Sequence, residues 1–154
     1  MTKVFRNTIF YLQAKKVLSK LRDPDRVFKL VLNNTEVKDM IIDLNTEKQL
    51  YEKGINSLGR SLGRYSEITI MIKKFEGKPF DRVTLKDTGD FYRTFKVEVR
   101  KGEIVISANT IKDDDDLIEK YGSEIIGLTD ENLEKLINFA KGLYIEYLIK
   151  LWTT

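Results

Sequence analysis

Three short stretches of the chain combine residue types that carry chemistry in other settings. Asp87-Thr88-Gly89 is the tripeptide with which aspartic proteases present a catalytic carboxylate. Gly54 to Ser61 reads GINSLGRS, close to the phosphate-binding pattern G-x-x-x-x-G-K-[ST]. Asp113 to Asp116 places four carboxylates in a row, which raises the question of calcium. Each chemistry makes a demand on the surrounding residues, and those surroundings decide the reading.

An aspartic protease brings two carboxylates together so that they share one proton and their pKa values split. With one such tripeptide, this chain would have to pair as a homodimer. Lys86 precedes Asp87 and Asp90 follows Gly89, and both charges would disturb a shared proton. As a turn the segment reads easily: Asp87 or Thr88 can bond the backbone two residues on, and Gly89 can take positive φ before a strand. A homodimeric aspartic protease is therefore the remote alternative. A phosphate-binding loop needs a strand before it and a lysine for the outer phosphates. Here a helical pattern precedes Gly54 and Arg60 stands in the lysine's place, so the glycines are expected to serve a bend or close packing. A calcium loop alternates its ligands around a central glycine and ends in glutamate. Consecutive aspartates suit a helix start better, one as cap and the others against the positive end of a helix near Leu117.

Composition narrows the chemistry further. The 154 residues include no cysteine and no histidine, which excludes disulfides, thiol catalysis, Ser-His-Asp and Cys-His systems, and His-ligated metal sites. No cofactor and no enzymatic activity are expected. Net charge is only +3, but it is uneven. In the first thirty residues eight basic side chains face two acidic ones, a local charge of +6. Lys15, Lys16, Lys20 and Arg22 are the candidate contacts to DNA or to an acidic partner, against the blander reading of a solvated lysine face. No apolar run has signal-peptide character or bilayer-spanning length, so a soluble, non-secreted protein with no membrane partner is expected.

The elements that must position these residues form one domain over 1–154. Residues 1–43 make a basic helical region, 44–128 an α+β core, and 129–154 a C-terminal helix. Phe5, Ile9, Leu12, Val17, Leu18 and Leu21 lie close to helical spacing. Pro24 ends that helix and can open a short second one. VKDMIIDL is read as a strand. The segment from Asn45 towards Gly63 is read as a helix capped by Thr46, with Gly59 and Gly63 loosening its end. EITIMIKKF alternates Ile68, Ile70 and Ile72 against polar neighbours and is read as a half-buried strand. FYRTFKVEVR and EIVISAN flank Lys101-Gly102 as a hairpin. From Thr129 a long helix carries Leu133, Leu136, Ile137, Ala140, Tyr144, Tyr147, Leu148 and Leu151 on one face, widened by Ile145, Ile149 and Trp152. That breadth marks Ile145, Ile149 and Trp152 as a candidate assembly interface. The fold class is α+β: a small antiparallel sheet with a central hairpin, packed by N-terminal helices and the long C-terminal helix.

Thr88-Gly89-Asp90-Phe91-Tyr92-Arg93-Thr94 fits a recurring TG-x-hydrophobic-x-x-S/T element entering a strand, and LIEKYGSEIIGLT follows it at a distance. In these features, and in its order of helical region, hairpin and C-terminal helix, the chain resembles the tail-completion or neck proteins that join head to tail in tailed bacteriophages. LNTEKQLYEKGINSLGRSLGRYS with GKPFDRVTLKDTGDFY is similar, over roughly residues 44 to 128, to virion proteins of Bacteroidetes phages, including crAss-like phages. The resemblance implies a structural subunit of the virion neck or tail, present in the host cytoplasm before assembly. It implies partners in other copies of itself, as a ring, and in neighbouring portal, neck or tail proteins. It marks Thr88, Gly89, Phe91, Tyr92 and Thr94 as the family-like turn and strand. The alternative is a DNA-contacting phage protein whose basic N-terminal helix touches packaged DNA.

Overall fold

The computed structural model describes residues 24–153, together with Ser19; within that span the side chains of Pro24, Asp25 and Trp152 are not described. Apart from Ser19, the expected basic helix over residues 2 to 21 lies outside the described residues, as do Lys15, Lys16, Lys20 and Arg22. The described part is α+β. Helices predominate, two small antiparallel sheets are inserted between them, and a long helix closes the chain.

Helix α1 runs Pro24–Asn33, with proline at its first position, where a missing N–H costs nothing. Helix α2 follows at Thr35–Asp43. Asn34 caps it, its side-chain oxygen accepting from the amides of Glu36 and Val37 at 2.7 and 3.3 Å. This corrects the strand expected at VKDMIIDL. Val37, Ile41 and Leu44 are all buried at i, i+4, i+7 spacing, a helical pattern that the Met40-Ile41-Ile42 run obscures. The helix passes without a break into a π-helical segment, Leu44–Lys53, which ends at Gly54 with φ +61°. Thr46 is therefore no cap. It lies inside the helical run, buried, with its hydroxyl donating back to the Ile42 carbonyl at 2.7 Å.

The second strand reading is also overturned. EITIMIKKF forms helix α3, Glu67–Phe75, capped by Ser66, whose hydroxyl accepts from the Thr69 amide. Glu67 stands in its first turn and Lys73 and Lys74 in its last, the charge order the helix dipole favours. A third correction falls on the family-like motif. Gly89 adopts φ +85° as expected of a turn, but it opens a one-turn helix α4, Asp90–Arg93, rather than a strand. Phe91 and Tyr92 are buried from that turn, and Thr94 is its C-cap.

The hairpin itself forms as read, over a shorter span. Strand β1, Lys96–Arg100, pairs with β2, Glu103–Ser107, in the register Val97 to Ile106 and Val99 to Ile104. Lys101 and Gly102 both have positive φ, 52° and 80°, as a type I′ two-residue turn requires. A second, minimal hairpin pairs β3, Ile111–Lys112, with β4, Asp115–Asp116. Asp116 then caps the short helix α5, Leu117–Tyr121, by accepting from the Ile118 amide at 2.9 Å. A 3-10 turn, Ser123–Ile125, leads to helix α6, Asp130–Thr153.

Two apolar clusters hold these elements together. Leu50, Phe91, Tyr92, Phe95, Leu117 and Ile125 form one, with the Phe91 and Phe95 rings edge to face at 5.1 Å. Val31, Val37, Ile41, Leu44 and Leu136 form the other, between α1, α2 and α6. Ile106 of the hairpin packs against both. Burying each large aliphatic side chain contributes about 1.5–3 kcal/mol. Between the clusters lies a set of buried amides. Asn45 donates to the Ile125 carbonyl and accepts from the Gly127 amide, at 3.1 and 2.8 Å. Gln49, one turn on, donates to the Gly127 carbonyl and accepts from the Thr129 amide, both at 2.9 Å. Asn132 donates to the Leu44 carbonyl and to Gln49. These side chains fasten the irregular segment before α6 to the π-helical segment, satisfying backbone groups that have no ladder of their own.

Candidate functional site

The structure answers the three chemical motifs one by one. Asp87 is exposed and lies between two ammonium groups, Lys112 at 3.0 Å and Lys78 at 3.5 Å. The hydrogen bond and charge of Lys112, seconded by Lys78, hold its carboxyl below the ordinary carboxylate range. A dyad that shares a proton needs the opposite displacement in one partner. Asp90, the next carboxylate, is likewise held low, by the Thr88 hydroxyl and the Arg93 guanidinium. Thr88 and Asp90 thus lock the turn that Gly89 permits.

The Gly54 to Ser61 segment turns its amides inward. Asn56 accepts from the amides of Leu58 and Arg60, both at 3.0 Å, while its own amide donates to the Arg60 carbonyl at 2.9 Å. No strand precedes it, and the loop closes through a bridge between Ile55 and Ser61. The amides of Gly54 and Ile55 donate to the preceding helix, that of Ser57 to the Glu124 carbonyl and those of Asn56, Leu58, Gly59 and Arg60 within the loop, which leaves no cradle for phosphate. A Cβ on Gly54 would stand 2.9 Å from the Arg82 Cβ and 2.9 Å from the Val83 carbonyl oxygen, so close packing accounts for that glycine. In the aspartate run, Asp113 takes positive φ in the turn of the minimal hairpin and Asp116 caps α5. Among the described residues no group of three acidic side chains is arranged to hold a metal ion.

What the surface does offer is two apolar features, a groove and a ridge. One is a groove of about 530 Å³ between α1 and α6, floored by the buried Val31 and Leu136 and walled by Phe28, Leu133, Ile137, Ala140 and Ile145. The expected interface residue Ile145 lines this groove, and Ile149 stands exposed one turn further along α6. The side chain of Trp152 lies outside those described. The other feature is a ridge on α3. Ile68, Met71, Ile72 and Phe75 recur at i, i+3, i+4, i+7 and all face outward, Ile68 72% and Phe75 94% exposed. The same helix turns Lys73 inward, 7% exposed, with its ammonium 4.7 Å from the centre of the Tyr65 ring. The helix thus buries Lys73 and presents its apolar stripe to solvent.

The sequence reading placed Ile68 and Ile72 on a buried strand face and so missed the ridge. The signal was present in Ser66 as cap and in Phe75, which completes the helical spacing and has no role in the strand pattern. Phe91, Tyr92 and Thr94 do come together with Gly89, but as packing and capping groups: the Thr94 hydroxyl donates to the Phe91 carbonyl at 2.7 Å and accepts from the Asn109 amide at 2.9 Å. No helix among the described residues is long and apolar enough to cross a membrane. Comparison with protein-family models, with curated proteins and with solved structures gave no match for this chain.

Proposed function

We propose that this protein is a structural subunit of a bacteriophage virion, a neck or tail ring component at the head-to-tail junction that acts by assembling with copies of itself. The observation that supports assembly is the pair of exposed apolar features, the α1–α6 groove and the α3 ridge. They lie on different elements and differ in shape, so a contact between ridge and groove would be heterologous, the kind that closes into rings when the rotation permits. A helix laying i, i+3, i+4, i+7 side chains into a two-helix groove is a general recognition mode. The virion setting rests on the resemblance of residues 44 to 128 to phage virion proteins.

Two measurements test this reading. Light scattering or native mass spectrometry on the purified chain should find a closed oligomer that Ile137→Asp reduces to monomers, with unchanged circular dichroism. Mass spectrometry of purified particles should find the protein at a fixed, symmetry-related copy number. A strictly monomeric wild type at high concentration, or absence from mature particles, would overturn the reading.

A further inference from the structure

Beside α3 lies a second cleft, of about 520 Å³, which shares only Ile72 with the ridge. Tyr65, Val83, Leu85, Leu117 and Tyr121 supply apolar and aromatic walls, and Lys73 stands among them. The size falls in the range of small-molecule pockets, which are apolar cavities with a few placed polar groups.

Lys73 is the unusual member. It is the only lysine among the buried residues described, and no carboxylate of the described residues lies within 4.0 Å of its ammonium. Its one close neighbour is the face of the Tyr65 ring. The ammonium is not sealed in: among the described residues the only side-chain polar atom both sealed from solvent and unbonded is Oδ1 of Asn132. The Lys73 ammonium therefore meets the solvent of the cleft, and with no carboxylate beside it its hydrogen-bond donors are open to an anion supplied from outside.

The neighbouring lysines define what sort of anion fits. Of the other lysines lining the cleft, Lys86 is engaged by Glu47 at 2.7 Å and Lys112 by Asp87 at 3.0 Å, while the Lys120 ammonium lies 5.5 Å from the centre of the Tyr121 ring. The lining also carries Glu76, Asp87, Asp113, Asp114 and Asp115, which repel a dianion more strongly than a monoanion. We propose that this cleft binds a small carboxylic acid with a compact apolar or aromatic body, its carboxylate on Lys73 and its body between Tyr65, Leu117 and Tyr121.

The test is a titration of the full wild-type chain with benzoate and hexanoate, followed residue by residue by NMR, with acetate and inorganic phosphate as comparisons. Saturable shifts should appear at Tyr65, Lys73, Leu117 and Tyr121, with acetate weaker for lack of a body and phosphate without effect. Lys73→Met should weaken benzoate binding at least about tenfold, as loss of a charged hydrogen bond implies, and Lys73→Arg should retain most of it. Should Lys73→Met fail to fold, the wild-type shift map and the arginine variant still decide. The proposal is overturned if neither organic acid gives saturable shifts, if the shifts map elsewhere, if phosphate binds more tightly than benzoate, or if a folded Lys73→Met binds as the wild type does.

Discussion

Gln49 shows how a single polar side chain can carry more of this fold than most of its apolar neighbours. It is fully buried, and both ends of its amide bond the backbone of the segment that leads into α6. Gln49→Leu keeps the volume roughly but leaves the Gly127 carbonyl and the Thr129 amide without partners, each costing about 1–3 kcal/mol. Urea denaturation should show a midpoint lowered accordingly at unchanged slope, whereas Gln49→Glu should be worse still because it buries a charge. Asp87 gives a residue-scale prediction of a different sort. Its pKa is depressed in the folded chain, chiefly by Lys112. Its contribution is thus present above the ordinary carboxylate range and is lost as pH falls through the folded value. Lys112→Met should make stability fall less steeply between neutral pH and about pH 3, read from denaturation midpoints across that range. A wild type and variant with parallel pH profiles would contradict it. The exposure of the pair means that salt should shrink the difference.

At the scale of elements, helix ends decide more than apolar patterns do. The π-helical segment stops because Gly54 takes positive φ where Arg82 and Val83 leave no room for a Cβ. Gly59 has positive φ too, but its Cβ position is open. Gly59→Ala should cost only the backbone preference, about 1–2 kcal/mol, and Gly54→Ala clearly more, measured by thermal melting of the two variants side by side. Equal costs would mean that Arg82 and Val83 yield freely. The same emphasis explains what could be read in advance. The hairpin, α1, α5 and α6 were legible because turn, proline, cap and long periodic stretch agree with one another. The segments Val37 to Leu44 and Glu67 to Phe75 were not, since runs such as Met40-Ile41-Ile42 and alternations such as Ile68-Ile70-Ile72 satisfy a strand pattern locally. Their caps, Asn34 and Ser66, arbitrate in favour of helix. The amide cluster was illegible for a different reason: nothing local distinguishes Asn45, Gln49 and Asn132 from solvated residues, and their partners lie some 80 positions away.

On the scale of the whole molecule, groove and ridge give the proposed assembly a sense of direction. The groove belongs to the α1–α2–α6 side, built on the second apolar cluster, while the ridge sits on α3, whose Lys73 lies over the Tyr65 ring. A head-to-tail contact makes a distinctive prediction. Ile137→Asp spoils only the groove and Phe75→Asp only the ridge, so each variant alone should be monomeric. Mixed in equal amounts they should form a one-to-one dimer and nothing larger, through the single intact groove and the single intact ridge. Native mass spectrometry would resolve this directly, and persistence of large oligomers in the mixture would exclude the ridge-to-groove contact. Neither Ile137 nor Phe75 lines the Lys73 cleft, so carboxylate binding can be followed in the monomeric variants.

The buried amides also set a timetable. Asn45 and Gln49 leave the ribosome when Gly127, Thr129 and Asn132 have yet to be polymerised, and Leu136, which closes the second apolar cluster, comes later still. Until the start of α6 is made, the middle helices therefore carry polar groups and apolar faces with no native counterpart. The chain's architecture holds final closure back until the start of α6 has been made, and contacts of such long sequence separation make that closure slower than helix formation itself.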